Sequence, residues 1–66
     1  MATRLRETRR AQHLTQDLVA ERVGISRTYY NHIEAGRRLP SLKVAFDLAR
    51  IFAVPVEDLF LADDVS

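Results

Sequence analysis

The stretch TQDLVAERVGISRTYYNHIEAG, residues 15–36, decides the fold. Thr15 is a good N-cap, its hydroxyl able to accept from a free amide at a helix start, and Asp17 adds a negative charge in the first turn, where the helix dipole favours it. Val19, Ala20 and Val23 recur at the three- and four-residue spacing of a buried helical stripe. Gly24 stops that helix, because glycine takes the left-handed backbone without a steric penalty. Ser26 then caps another helix over about residues 27–34. Tyr30 and Ile33 define its inward side, with Thr28, Asn31, His32 and Ala35 opposite and Arg27 and Tyr29 on the flanks. An outward face of hydrogen-bonding groups, rather than Glu and Lys, is unusual for a helix that meets only water. Gly36 closes the stretch.

Two short helices joined through a tight glycine turn make a helix-turn-helix pattern. The pattern demands a small residue where the helices cross, and Ala20 supplies it. It demands a positive φ in the turn, which Gly24 supplies, and apolar residues around both: Val19, Val23, Ile25, Tyr30 and Ile33. These positions fit one window of about 20 residues and define the core of the motif.

Outward from this centre, residues 2–12 are polar and basic, with Leu5 as the main apolar anchor. Downstream, Arg37-Arg38-Leu39-Pro40 forms a basic loop and Ser41 caps a helix running to about Phe52. On that helix Leu42, Ala45, Phe46, Ala49 and Ala53 make one apolar stripe, and Val44, Leu48 and Ile51 make a second on nearly the opposite side. Lys43, Asp47 and Arg50 share the narrow charged wedge between them. So wide an apolar arc requires cover from more than one direction. Pro55 suits the first position of a short fifth helix, with Val56, Leu59 and Phe60 apolar and Leu61 left over. Residues Ala62 to Ser66 are expected to fray. No segment alternates as a strand would. The expectation is an all-α chain of five short helices, one domain over residues 1–66 with a core at about 4–61.

With 66 residues and no cysteine, the chain has no disulfide or thiolate metal site. His13 and His32 lack a repeated ligand spacing, so no metal is expected. A chain this short hides only about 60% of its unfolded surface, and a second copy is the natural support. Val44, Leu48, Ile51 and Leu61 are the apolar excess of a chain this short, which makes them the expected dimer interface. No run is long enough for a membrane span or a signal peptide, so a cytoplasmic protein is expected. Residues 1–50 hold all ten basic side chains and five acids, a net of +5, whereas residues 51–66 hold four acids and no base, a net of −4. A dipolar chain of this kind suits a polyanion-binding body with an acidic end. Nine of the ten bases are arginine, the residue suited to bidentate phosphate or guanine contacts. There is no Gly-rich phosphate loop and no nucleophile–base–orienter set, so no enzyme, catalytic residue, cofactor or small-molecule ligand is expected.

Leu14-Thr15-Gln16, Val19-Ala20, Gly24-Ile25-Ser26, Ile33-Glu34-Ala35-Gly36, Pro40-Ser41 and Glu57-Asp58-Leu59-Phe60 together resemble the Cro/C1-type (XRE-like) helix-turn-helix family of bacterial and phage regulators. The resemblance covers about residues 4–61 without an insertion. It implies a five-helix bundle of the lambda-repressor-like type whose second motif helix enters the DNA major groove. It also implies an Arg9–Glu34 ion pair joining the first and third helices, with Arg9 either purely structural or also facing phosphate. Gln16, Arg37 and Arg38 match phosphate-gripping positions, and Tyr29 is either a phosphate contact or an interhelix packing residue. Arg27, Thr28 and His32 match base-contacting positions, and Asn31 shares their face. His32 has the alternative of being a plain surface histidine. The implied function is a repressor binding double-stranded DNA at two half-sites as a homodimer. An antitoxin or co-regulator that uses the same fold to hold a protein is the alternative. Four residues depart from the family pattern: Thr8 and Leu18 reverse the usual polarity of their positions, Ala35 replaces a frequent Asn, and Pro55 replaces a Ser-type cap.

Overall fold

The computed structural model describes residues 3–60. Its elements are α1 (Leu5–Ala11), α2 (Gln16–Val23), α3 (Arg27–Glu34), α4 (Leu42–Phe52) and α5 (Val56–Leu59). Three hydroxyls start three of these helices. Thr15 Oγ1 accepts from the Leu18 amide at 3.1 Å, Ser26 Oγ from Tyr29 at 3.0 Å, and Ser41 Oγ from Val44 at 3.2 Å. Each satisfies an amide that has no partner inside its own helix. The stops differ in kind. Gly24 ends α2 at φ +84°, where a side chain would be strained, while Ala53 ends α4 in the same left-handed region at φ +59°. Left-handed backbone costs a residue with a Cβ about 1–2 kcal/mol. At Ala53 two closing hydrogen bonds offset that cost: its own amide to Arg50 O and the Val54 amide to Ala49 O. Ala53 is therefore an exposed cap and not the end of an apolar stripe. Pro55 stands one place earlier than its sequence suggests, as the N-cap of α5 with ψ 148°.

The core gathers Leu5, Val19, Ala20, Tyr30, Ile33, Val44, Leu48, Phe52 and Leu59, with Val23 and Ile25 half-buried against it. Within it α2 packs on both α3 and α4, and α5 packs on α4. This arrangement corrects the reading of α4. Val44 and Leu48, expected at a dimer interface, are 9% and 0% exposed and face the core. Ile51 is half-buried against the same core, and Leu61 lies outside the described residues. Among the described residues the exposed large apolar side chains are instead Leu39, Leu42 and Phe46, at 71%, 73% and 49%. Because α4 is apolar around most of its circumference, periodicity does not choose which face turns inward; the helices packed on it do. The charged wedge is as expected, with Lys43 Nζ 2.8 Å and Arg50 Nη1 3.7 Å from the Asp47 carboxylate. Thr8 and Leu18 are both half-buried.

Two long-range bonds hold α1 against the far end of the chain. The Arg4 amide donates to Leu59 O at 2.9 Å, and Gln12 Nε2 donates to Phe52 O, a free carbonyl at the end of α4, at 2.8 Å. They fix where the arginines of α1 stand relative to α2 and α3.

Candidate nucleic-acid interface

Helix α3 is anchored by its inward side. Tyr30 and Ile33 are fully buried, and the Ser26 cap sets where the first turn begins. Arg27 and Thr28 are exposed on that first turn, with Asn31 half-buried one turn further. These three residues and Gln16 of α2 line one shallow groove of about 240 Å³. The fourth expected base contact, His32, is half-buried and does not line it. Tyr29 is also half-buried and packs against the core, which is its packing alternative. Its ring carries the Arg38 guanidinium, 5.2 Å from the ring centre, a cation–π contact that ties the basic loop to α3. Arg37 and Arg38 are both exposed.

Behind the groove lies a buried network centred on Glu34. Arg9 grips the carboxylate with two donors, Nε to Oε2 at 2.9 Å and Nη2 to Oε1 at 3.0 Å, and its Nη1 donates to Leu14 O at 2.9 Å. Gln16 Nε2 and Arg6 Nε also donate to Oε1, at 3.0 and 3.3 Å. Thr3 Oγ1 completes the clasp by donating to the Glu34 backbone carbonyl at 2.9 Å. Burial pushes the Glu34 carboxyl up, but the Arg9 hydrogen bonds, with smaller contributions from Tyr30 and Gln16, outweigh it and hold the pKa at about 2. The same hydrogen bond to Glu34 raises the Arg9 pKa. The Tyr30 hydroxyl is buried beside the pair, with no partner at hydrogen-bond geometry among the described residues. Burial, then Glu34, pushes its pKa well above the ordinary tyrosine range.

Arg9 is only 9% exposed and all three of its nitrogens are committed inside the protein. It is an ion-pair residue first. Cations facing outward beside it are supplied by Arg6 and Arg10, both exposed. With Arg9, Leu14, Thr15, Gln16, Asp17 and Arg27 they line a second open groove of about 520 Å³. Sequence reasoning assigned neither Arg6 nor Arg10 a role. Their spacing with Arg9 held the signal, since residues three and four apart share a helix face. Within this groove Arg27 Nε lies 3.4 Å from Asp17 Oδ1, in an exposed ion pair joining α2 to α3. Among the described residues no group of three or more potential metal ligands gathers, and no helix is long and apolar enough to cross a membrane.

Comparison with known proteins places this geometry in context. The helix-turn-helix family model matches residues 5–59. An uncharacterized HTH-type transcriptional regulator of Archaeoglobus fulgidus is 42% identical over 64 residues, spanning 97% of this chain and 91% of the relative. One from Methanocaldococcus jannaschii is 41% identical and covers 97% of both chains. Among solved structures, the restriction-modification controller protein C.AhdI from Aeromonas hydrophila superposes with a TM-score of 0.78 at 37% identity, over 86% of each chain. The N-terminal DNA binding domain of SinR from Bacillus subtilis gives a TM-score of 0.77 over 96% of this chain and 91% of its own; at 22% identity it speaks to the fold alone.

Proposed function

The chain belongs to the Cro/C1-type helix-turn-helix family of transcriptional regulators, and from that premise we propose that it is a cytoplasmic repressor binding a roughly palindromic operator as a homodimer. One observation carries the reading of double-stranded DNA. Arg27, Thr28 and Asn31 share a groove with Gln16 at the start of α3, and exposed Arg6 and Arg10 stand next to it. Arg27 has the chemistry for guanine O6 and N7, Asn31 for adenine, and Thr28 for a thymine methyl or a base acceptor. Arg6, Arg10, Arg37 and Arg38 supply phosphate contacts on either side, while Gln16 divides its amide between Glu34 and the backbone of the DNA. His32 borders this face and takes no assigned base.

Two copies are supported by the exposed apolar set Leu39, Leu42 and Phe46, of which Leu42 and Phe46 stand four residues apart on one side of α4. A two-fold dimer presents its recognition helices about one DNA turn apart. Repression needs no further activity, because a dimer bound over a promoter blocks polymerase by occupancy alone.

Selection of bound sequences from random duplex DNA tests the reading. The expected result is an enriched inverted repeat with half-site centres about 10 base pairs apart and binding that weakens steeply with salt. Retention that is indifferent to both sequence and salt would leave the fold serving a protein partner. Sedimentation at micromolar concentration should give a dimer; a clean monomer there ends the two-fold part of the proposal.

A further inference from the structure

An arginine at the mouth of a basic groove has two competing uses. It can rest on any phosphate, which raises affinity for all sequences alike, or present its paired Nη groups to the O6 and N7 of a guanine, which discriminates. Arg27 stands where both are within reach, since it lines the groove of Arg6 and Arg10 as well as the smaller one of Gln16, Thr28 and Asn31. The closest approach within the pair is between Nε and Oδ1, at 3.4 Å, and a carboxylate seated on the Nε side of a guanidinium leaves the far Nη edge available to a base. Both side chains are well exposed, at 67% and 73%, so the pair contributes little to folding. For affinity alone Asp17 is a defect, because a carboxylate beside the exposed arginines Arg6, Arg10 and Arg27 repels the phosphate they would attract.

We infer that Asp17 is a specificity-determining positioning residue. It holds Arg27 by Nε, leaves the Nη pair for a base edge, and keeps the guanidinium from settling on the phosphate backbone. Affinity is given up for discrimination, the general logic of a repulsive element that penalises wrong partners. Because Asp17 lies on α2 and Arg27 on α3, the aim of the arginine is set by the crossing of the two motif helices. This inference rests on the DNA reading proposed above.

The test compares Asp17→Asn, Arg27→Ala and the double variant with the wild type. Each is measured on the selected operator, on the operator altered at the base pair that Arg27→Ala relaxes, and on random duplex, over a range of salt. Asp17→Asn should bind random duplex more tightly, with a salt slope steeper by about one as the released arginine gains a phosphate. Its discrimination at the altered base pair should fall about two- to fivefold, the range of one exposed ion pair. Without Arg27, the same substitution should leave discrimination unchanged. The role of Asp17 is overturned if Asp17→Asn raises operator and random binding by one common factor, or lowers discrimination equally in the Arg27→Ala background. A wild type that retains no duplex at any salt overturns the DNA reading itself, so the two failures are distinct.

Discussion

Arg9–Glu34 and Arg27–Asp17 each join an arginine to a carboxylate on another helix, yet they sit at opposite extremes of solvent contact. Glu34 has a fully buried side chain and accepts from Arg6, Arg9 and Gln16, so its charge is balanced on every side. Asp17 pairs with Arg27 alone among the described residues and is open to water. In water a lone pair is worth about 0.2–1 kcal/mol, whereas a buried charge that loses its partner carries a penalty several times larger. The buried pair therefore locks α3 to α1, and the exposed pair aims a side chain without committing the fold.

The contrast breaks most visibly at Glu34. Glu34→Ala strands the Arg9 guanidinium and should cost about 3–5 kcal/mol in denaturant unfolding, enough to leave a domain of this size largely unfolded. A loss below about 1 kcal/mol would put the two pairs in one class. Acid makes a related test. The Glu34 carboxyl titrates at about 2 in the folded chain against an ordinary 4.5. Its ionised form thus contributes stability that is complete above about pH 4.5 and disappears as the pH falls through about 2. The amount is on the order of 3 kcal/mol, read from unfolding midpoints against pH.

At the exposed pair the effects move from folding to binding. Arg27→Ala should weaken operator binding by about 1–3 kcal/mol and relax one base position, with unfolding free energy unchanged within about 0.5 kcal/mol. Equal losses on operator and random duplex would remove Arg27 from the reading set. The smallest effect is expected in the basic loop. Arg37→Ala should lower the salt slope by about one and leave sequence preference alone, as titrations at several ionic strengths would show.

What could be read from the sequence was what local chemistry decides. Thr15, Ser26 and Ser41 cap helices because a hydroxyl reaches an amide three residues on, and Gly24 turns because it lacks a Cβ; none of this needs a distant partner. The grouping of Arg27, Thr28 and Asn31 follows from helical spacing in the same way. The inward face of α4 is not legible in the sequence because Val44 and Leu48 compete with Leu42 and Phe46 on nearly equal terms, and only the packing of α2 and α5 resolves the competition. Hidden for the same reason were the convergence of Arg6 and Gln16 on Glu34 and the bond from Gln12 to Phe52, which spans 40 residues. Asp17 carried a local explanation as a favourable first-turn charge, and that explanation concealed its partner on the next helix.

The hydrogen bond from the Arg4 amide to Leu59 O makes the bundle a nearly closed loop of chain. Entry and exit occupy one corner, so the unit can be spliced into a surface loop of another protein without stretching its host.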